Sequence, residues 1–425
     1  MEIRDPILGS IRLSAAETRV VEHPWVQRLR HVGQTGFTRL AFPGATHSRF
    51  LHSLGVFHLA GTAFDEAYSG WSFQSEGARE RLRSAVRIAA LCHDLGHPPF
   101  SHCTEFGMPA LEALGLSWYT RADADRQATH EDYTIAILQH TSLAGVIAEN
   151  FPFTSRHVAA LISSDVRVSD GFFQDGGLDH RRLLSQIVSS ELDVDRLDYL
   201  VRDAKYTGAE YGRIDRDWLI GNFRTHVRDG SVCLALRSRA VYAFDHFLLA
   251  RHHMFLQVYF HHRSVVYEEM LKRWVRSGAE GWSLPADLKA YQKIDDVALT
   301  QRLRSSAHPM ARRVAERRPF RRVVERHGTL RQVDMTRDAS RLADAGIDAL
   351  RAASTGRLSR YDDFGRKRRA APRIFVLDEH STGRSVRDLT EASLVFRRYA
   401  DERCIARLYV PPEDVQRARE VLGIR

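Results

Sequence analysis

The chain has 425 residues, 44% hydrophobic and 27% charged, a balance that points to a folded globular protein of two or three structural units and excludes wholesale disorder. No apolar run reaches the roughly 20 residues of a membrane span, and four cysteines without CxxC spacing exclude a disulfide scaffold, so a cytoplasmic protein is expected. The formal net charge of +9 is uneven: residues 301–371 hold 19 Arg/Lys against 8 Asp/Glu, a surplus of +11, which leaves −2 for the rest.

Met1 to Pro6 lacks a basic flank and an apolar stretch, so no secretory leader is expected. Residues 3–13 read as short strands. A helix follows, with Pro24 near its start and Trp25, Leu29 and Val32 at helical spacing. Pro43-Gly44 turns the chain and closes an N-terminal strand/helix segment over 1–45. Helical stretches are expected over 48–68, 77–95, 130–150, 155–165 and 180–206. One long helix without Gly or Pro is expected over 240–276. Gly96, Pro98 and Pro99 break the chain after the second of these. Strand signals lie at 231–236, 374–377 and 405–410. Residues 300–371 are polar, helix-prone and Arg-rich, with exposed loops expected at 354–356 and 364–369. The expected fold is mainly α: a helical core over 46–275 and a smaller, basic, mixed α/β C-terminal lobe over 276–425.

Histidine is abundant, with 21 residues, many of them clustered. His93-Asp94 ends an apolar helix just before the Gly/Pro break. At a helix end both side chains can reach one ion, and an imidazole with a carboxylate suits borderline divalent metals. The dipeptide alone is common, but its surroundings are unusual. His47, Arg49 and His52 precede it; His97, His102 and His130-Glu131 follow. Farther on, Asp195, Tyr199 and Asp203 recur at i, i+4 and i+8 and share one helical face. Two acids and a phenol beside an apolar core are costly unless they bind something. A solvated face of capping acids is the alternative.

The matching text is long. It comprises Asp5-Pro6 with Gly9, the run from Trp25 to Arg30, Phe42 to Phe50, His52 to Val56, Leu91 to His102, His130-Glu131 and Asp193 to Tyr199. These motifs resemble the HD-domain metal-dependent phosphohydrolase superfamily, and within it the deoxynucleoside triphosphate triphosphohydrolase branch of the sterile-alpha-motif/HD-domain enzyme and its bacterial relatives. The likeness covers about the first 275 residues, and more weakly the C-terminal lobe through Leu408-Tyr409-Val410-Pro411.

The resemblance implies that His52, His93, Asp94 and Asp195 hold one divalent ion: manganese, magnesium, iron or zinc. It implies cleavage of a dNTP at the α-phosphorus to deoxynucleoside and intact triphosphate. In that scheme His102 is the general acid on the 5′-oxygen. His97 and His130 bind phosphate or relay protons, and Glu131 orients His130. Arg49 holds the α- and β-phosphates, and Arg196 stands at a phosphate-binding lysine position. Tyr199, Asp203, Arg251 and Tyr259 line the phosphate and sugar positions, and Gln34 matches a sugar contact. A homo-oligomer and an allosteric nucleotide are implied as well. A second reading is a phosphodiesterase or nuclease for a modified or signalling nucleotide, or for single-stranded nucleic acid tracked by the basic segment 301–371. A third, a non-catalytic nucleotide sensor, is disfavoured by the complete ligand set.

Overall fold

The computed structural model describes residues 1–119, 125–278, 280–329, 332–356, 373–378, 385–395 and 403–424; the 364–369 loop lies outside them. An antiparallel hairpin, β1 (Glu2–Asp5) and β2 (Gly9–Arg12), opens the chain. α1 (Ala15–Val21) starts at a capping box of Ser14 and Glu17, and α2 (Pro24–Arg28) carries its proline in the first turn. α3 (Arg49–Ala67) and α4 (Ala78–Cys92) occupy the expected stretches. Then come α5 (His130–His140), α6 (Leu143–Asn150), α7 (Ser155–Ile162), the short strands β3 (Gln174–Asp175) and β4 (Leu178–Asp179), α8 (Arg181–Val188) and α9 (Val194–Thr207).

α3 is apolar nearly all round and runs through the centre of the bundle, packed against α4 and α9. Its Gly55 lets α9 come close: a Cβ there would lie 2.1 Å from Asp198 Oδ1. The main core joins these helices and extends from Ile11 to Leu389.

α10 (Arg216–Gly221), β5 (Phe223–Arg228), β6 (Ser231–Arg237), α11 (Val241–Met254) and α12 (His262–Arg276) follow. The C-terminal part contains α13 (Leu288–Gln292), α14 (Asp296–Ser305), α15 (Pro309–Ala315), β7 (Arg321–Gly328), α16 (Thr336–Asp344), β8 (Leu350–Gly356), β9 (Phe375–Asp378), β10 (Ser385–Asp388), α17 (Leu389–Ala392), β11 (Arg403–Val410) and α18 (Val415–Leu422). β11 is the centre of an antiparallel sheet with β7 and β8. β9 instead runs parallel to β6, so the chain returns there to the helical body. The fold is mainly α, with small sheets. No helix among the described residues is long and apolar enough to cross a membrane.

Four expectations need correction. The 240–276 helix is broken: α11 ends in a π-helical turn, Phe255–Tyr259, and His261 caps a new helix by accepting from Arg263 N at 3.3 Å. The 180–206 stretch is two helices, because Asp193 caps α9 and accepts from Arg196 N at 2.9 Å. The 130–150 stretch likewise divides into α5 and α6. The polar 300–371 region contributes strands β7 and β8, and Ser354 and Thr355 lie in β8 rather than in a loop. Both strands pair with the apolar β11, which overrides their polar composition.

Candidate active site

Local sequence places each ligand. His52 lies one turn into α3. α4 ends at Cys92, and His93 caps it before the prolines forbid further helix. Gly96 then passes so close to α5 that a Cβ would sit 2.0 Å from His130 O. Gly96 N donates to Thr134 Oγ1 at 2.9 Å, which donates onward to His93 O at 3.0 Å. Asp195 is in the first turn of α9, fixed by the Asp193 cap.

His52, His93 and Asp195 converge, with one donor atom of each within 4.8 Å of the others. His52 Nε2 is 3.0 Å from Asp195 Oδ1, and His93 Nε2 is 3.7 Å from it. Asp94 reaches them from the side, with Oδ1 3.2 Å from His93 Nε2 and Oδ2 3.7 Å from His52 Nε2. The second ring nitrogens are committed elsewhere. His52 Nδ1 donates to Asp198 Oδ2 at 2.8 Å, and His93 Nδ1 donates to Ala90 O at 2.8 Å. Both Nε2 atoms are therefore aimed into the site, buried and without a hydrogen bond. Two imidazoles and two carboxylates so arranged fit a divalent ion.

The electrostatics agree. Burial pulls the His52 imidazole down, yet Asp195 and Asp198 push it up to about 10. A ring raised in this way favours its protonated form, so protons compete with an ion for it. Protonation competes below the raised pKa, so affinity rises with pH. We expect divalent-ion affinity to rise with pH between about pH 6 and 8, with protons released on binding, because despite burial the His52 and His93 imidazoles are both raised by the neighbouring carboxylates. Titration calorimetry in two buffers of different ionisation heat reads both, and a flat affinity would contradict this charge state.

Beside the metal donors lies a second histidine group. His97 is buried, with Nε2 3.3 Å from Asp94 Oδ1, and its ring stacks on His130 at 3.9 Å. His102 has its side chain 65% exposed and donates from Nδ1 to Glu105 Oε2 at 2.9 Å. His130 Nδ1 donates to the other oxygen of the same carboxylate. Burial opposes it, but these two hydrogen bonds hold the Glu105 carboxyl well below its usual range. Burial, then Arg49 and His130, hold His97 well below its ordinary value, so it is the neutral member of the stack. Burial works against His130 too, but Glu105 raises it.

The acid that orients His130 is thus Glu105, not the expected Glu131. Sequence reading missed it, although its place three residues after His102 was a usable signal.

The remaining expected residues fall into two sets. Arg49 is bound to Asp94 and donates from Nε to Ser101 Oγ at 2.7 Å and from Nη2 to Gln34 O at 3.4 Å. Gln34 keeps a buried Oε1 without a hydrogen bond. On α9 the Asp203 carboxylate accepts from Tyr259 OH at 2.6 Å and from His47 Nε2 at 2.7 Å. Tyr259 ends the π-helical turn, a local irregularity that often marks a functional position. Tyr199 meets the Tyr259 ring edge-on at 6.3 Å, and Arg251 reaches Glu191 at 3.2 Å. Arg196 is the outlier: its guanidinium is folded onto Asp193 and the Ser190 carbonyl.

Residues 49–203 match the HD domain family, and residues 214–349 match the HD associated region. The chain is 30% identical over 325 residues to the protein MJ1154 of Methanocaldococcus jannaschii, covering 76% of this chain and 59% of that one. It is 33% identical over 236 residues to YwfO of Bacillus subtilis, covering 55% and 46%. It is 32% identical over 222 residues to the deoxynucleoside triphosphate triphosphohydrolase SAMHD1 of Homo sapiens, covering 49% and 33%. The matched parts thus span from a third to three-fifths of these relatives.

Among solved structures, a hypothetical protein of Aquifex aeolicus has the same fold, with TM-score 0.75 and 24% identity over 99% of both chains. So does a phosphohydrolase of Bacteroides thetaiotaomicron, with TM-score 0.68 and 24% identity over 96% of this chain and 99% of that one. The chain is an HD-domain protein with a donor group placed for a divalent ion. It belongs to the HD-domain phosphohydrolase superfamily.

Proposed function

We propose that this chain hydrolyses deoxynucleoside triphosphates to deoxynucleoside and inorganic triphosphate. The observation that carries the reading is the His52, His93 and Asp195 donor group, with Asp94 at its side, lying directly beside the His97, His102, Glu105 and His130 group. The relation to SAMHD1 supports the choice of nucleotide. A bound divalent ion supplies Lewis-acid polarisation of a phosphoryl oxygen and a more acidic water.

The chain's own residues do the rest. Water attacks the α-phosphorus, the bond from phosphorus to the 5′-oxygen breaks, and that oxygen takes a proton. His102 is the donor. Glu105 holds its Nδ1, which leaves Nε2 to carry the proton, and the exposed ring can reach a substrate. Arg49 and His130 supply positive charge to the phosphates. Arg196, committed to Asp193, acts through the helix cap instead. Gln34, Tyr199, Asp203, Arg251 and Tyr259 line the sugar and phosphate positions.

A homo-oligomer regulated by a nucleotide and working in the cytoplasm completes the reading. Four free cysteines agree with a reducing compartment. The nucleic-acid reading has weaker support, because arginines in the described part of 301–371 engage acids: Arg313 with Glu413 and Arg326 with Asp338, each at 2.7 Å.

The test is incubation with each dNTP, each NTP and a labelled single-stranded DNA in Mn²⁺ or Mg²⁺, with the products separated by chromatography. Triphosphate plus deoxynucleoside is the expected result. Shortened DNA without triphosphate would overturn the proposal in favour of the nuclease. Running each dNTP alone and in pairs, with light scattering alongside, reads the regulatory nucleotide and the oligomer.

A further inference from the structure

The loop between His97 and His102 is strained. Phe100 and Ser101 are consecutive non-glycine residues with φ of 56° and 57°, and such conformations cost of order 1–3 kcal/mol each unless surrounding contacts enforce them. Asp296, the first residue of α14, provides such contacts from nearly 200 residues away. It is 8% exposed. Its Oδ1 accepts from Phe100 N at 2.7 Å and its Oδ2 from Gly33 N at 3.1 Å. Ser101, held next to this bridge, donates from Oγ to Gly33 O and accepts from Arg49 Nε, both at 2.7 Å.

The segment leading into α14 grips the same loop twice more. Tyr291 OH donates to Gly96 O at 2.7 Å. Arg28 lies over the Tyr291 ring at 4.8 Å and joins His97 O at 2.8 Å to Ile294 O at 2.6 Å.

Helix capping does not account for Asp296. The α14 cap is Asp295, which accepts from Ala298 N at 2.8 Å. Nor does ion pairing: among the described residues Asp296 makes no salt bridge, and it spends a buried carboxylate on two backbone amides of the site.

We propose that Asp296 is a positioning residue of the active site: by bridging Phe100 N and Gly33 N it fixes the strained turn, and with it the placement of His102 and of the Ser101–Arg49 contact. The proposal rests on the phosphohydrolase reading. It gives the HD associated region a part in the chemistry without contact to substrate.

The test compares wild type, Asp296→Ala and Asp296→Asn, each loaded with Mn²⁺. Metal content, melting temperature, kcat, KM and hydrogen exchange of the Phe100 and Gly33 amides are measured. In Asp296→Ala we expect unchanged metal content and lost protection of those amides. We also expect a kcat at least about tenfold lower with KM within about threefold, as a misplaced catalytic group gives. Asp296→Asn keeps one acceptor oxygen and falls between; it carries the test if the alanine variant does not fold. Wild-type kcat in both variants, or a loss that merely follows lost metal, would overturn the proposal. If wild type hydrolyses no nucleotide, the proposed function fails, and amide protection still decides whether Asp296 holds the loop.

Discussion

Asp94→Ala is expected to remove metal binding and hydrolysis together. Asp94 is buried where both groups of the site meet, within 3.3 Å of His93 Nε2 and of His97 Nε2 and in contact with Arg49. Alanine deletes a metal donor and leaves the buried Arg49 guanidinium without its carboxylate. Lewis-acid stabilisation is worth several kcal/mol, so a loss of at least about 10³-fold follows at about 1.4 kcal/mol per decade. Metal analysis should fall from about one ion per chain to nearly none. A variant that keeps both the ion and the turnover would remove Asp94 from the site.

Asp198→Ala is expected to weaken the site from behind. His52 Nδ1, the Arg202 guanidinium and the Asp5 carboxylate form one buried chain through Asp198. Arg202 Nε and Nη2 donate to Asp198 at 2.7 and 2.8 Å, and Nη1 donates to Asp5 at 2.8 Å. Without Asp198 the His52 ring loses the partner that aims Nε2 at the ion, a change that typically costs about 10–100-fold in metal affinity. Arg202 is left as a poorly compensated buried charge, which costs about 3–5 kcal/mol of stability. Asp198→Asn preserves the shape, so its stability should fall less than its metal affinity. Denaturant unfolding of the apo-proteins beside metal titration separates the two losses. Equal affinity in Asp198→Asn and wild type would show that Asp198 acts only on the fold.

What the sequence made legible follows from where the information is local. α3 is long and apolar nearly all round, α4 is apolar on a helical period, and turn residues bound both. His93-Asp94 sits at a helix end before two prolines. Asp195 follows a capping aspartate. Other features depend on partners distant in the chain. Glu105 lies three residues after His102 in a short 3₁₀ stretch, but the partner that gives it its role, His130, is 25 residues on. The break after Met254 carries no Gly or Pro, because a π-helical turn needs neither. In β5, Arg224, His226 and Arg228 alternate with Phe223, Thr225 and Val227 on a strand that is only partly buried, and it becomes a strand by pairing with the apolar β6. Asp296 is one of two adjacent aspartates at a helix start. The two differ in role only because the folded chain brings Phe100 and Gly33 to the second.

If water attacks the α-phosphorus while the 5′-oxygen leaves protonated, the solvent oxygen ends in the triphosphate. Turnover of a dNTP in heavy-oxygen water, followed by mass spectrometry of both products, locates that oxygen. The expected result is one labelled oxygen in an intact triphosphate and none in the deoxynucleoside. Label in the deoxynucleoside, or label in pyrophosphate or monophosphate, would contradict it.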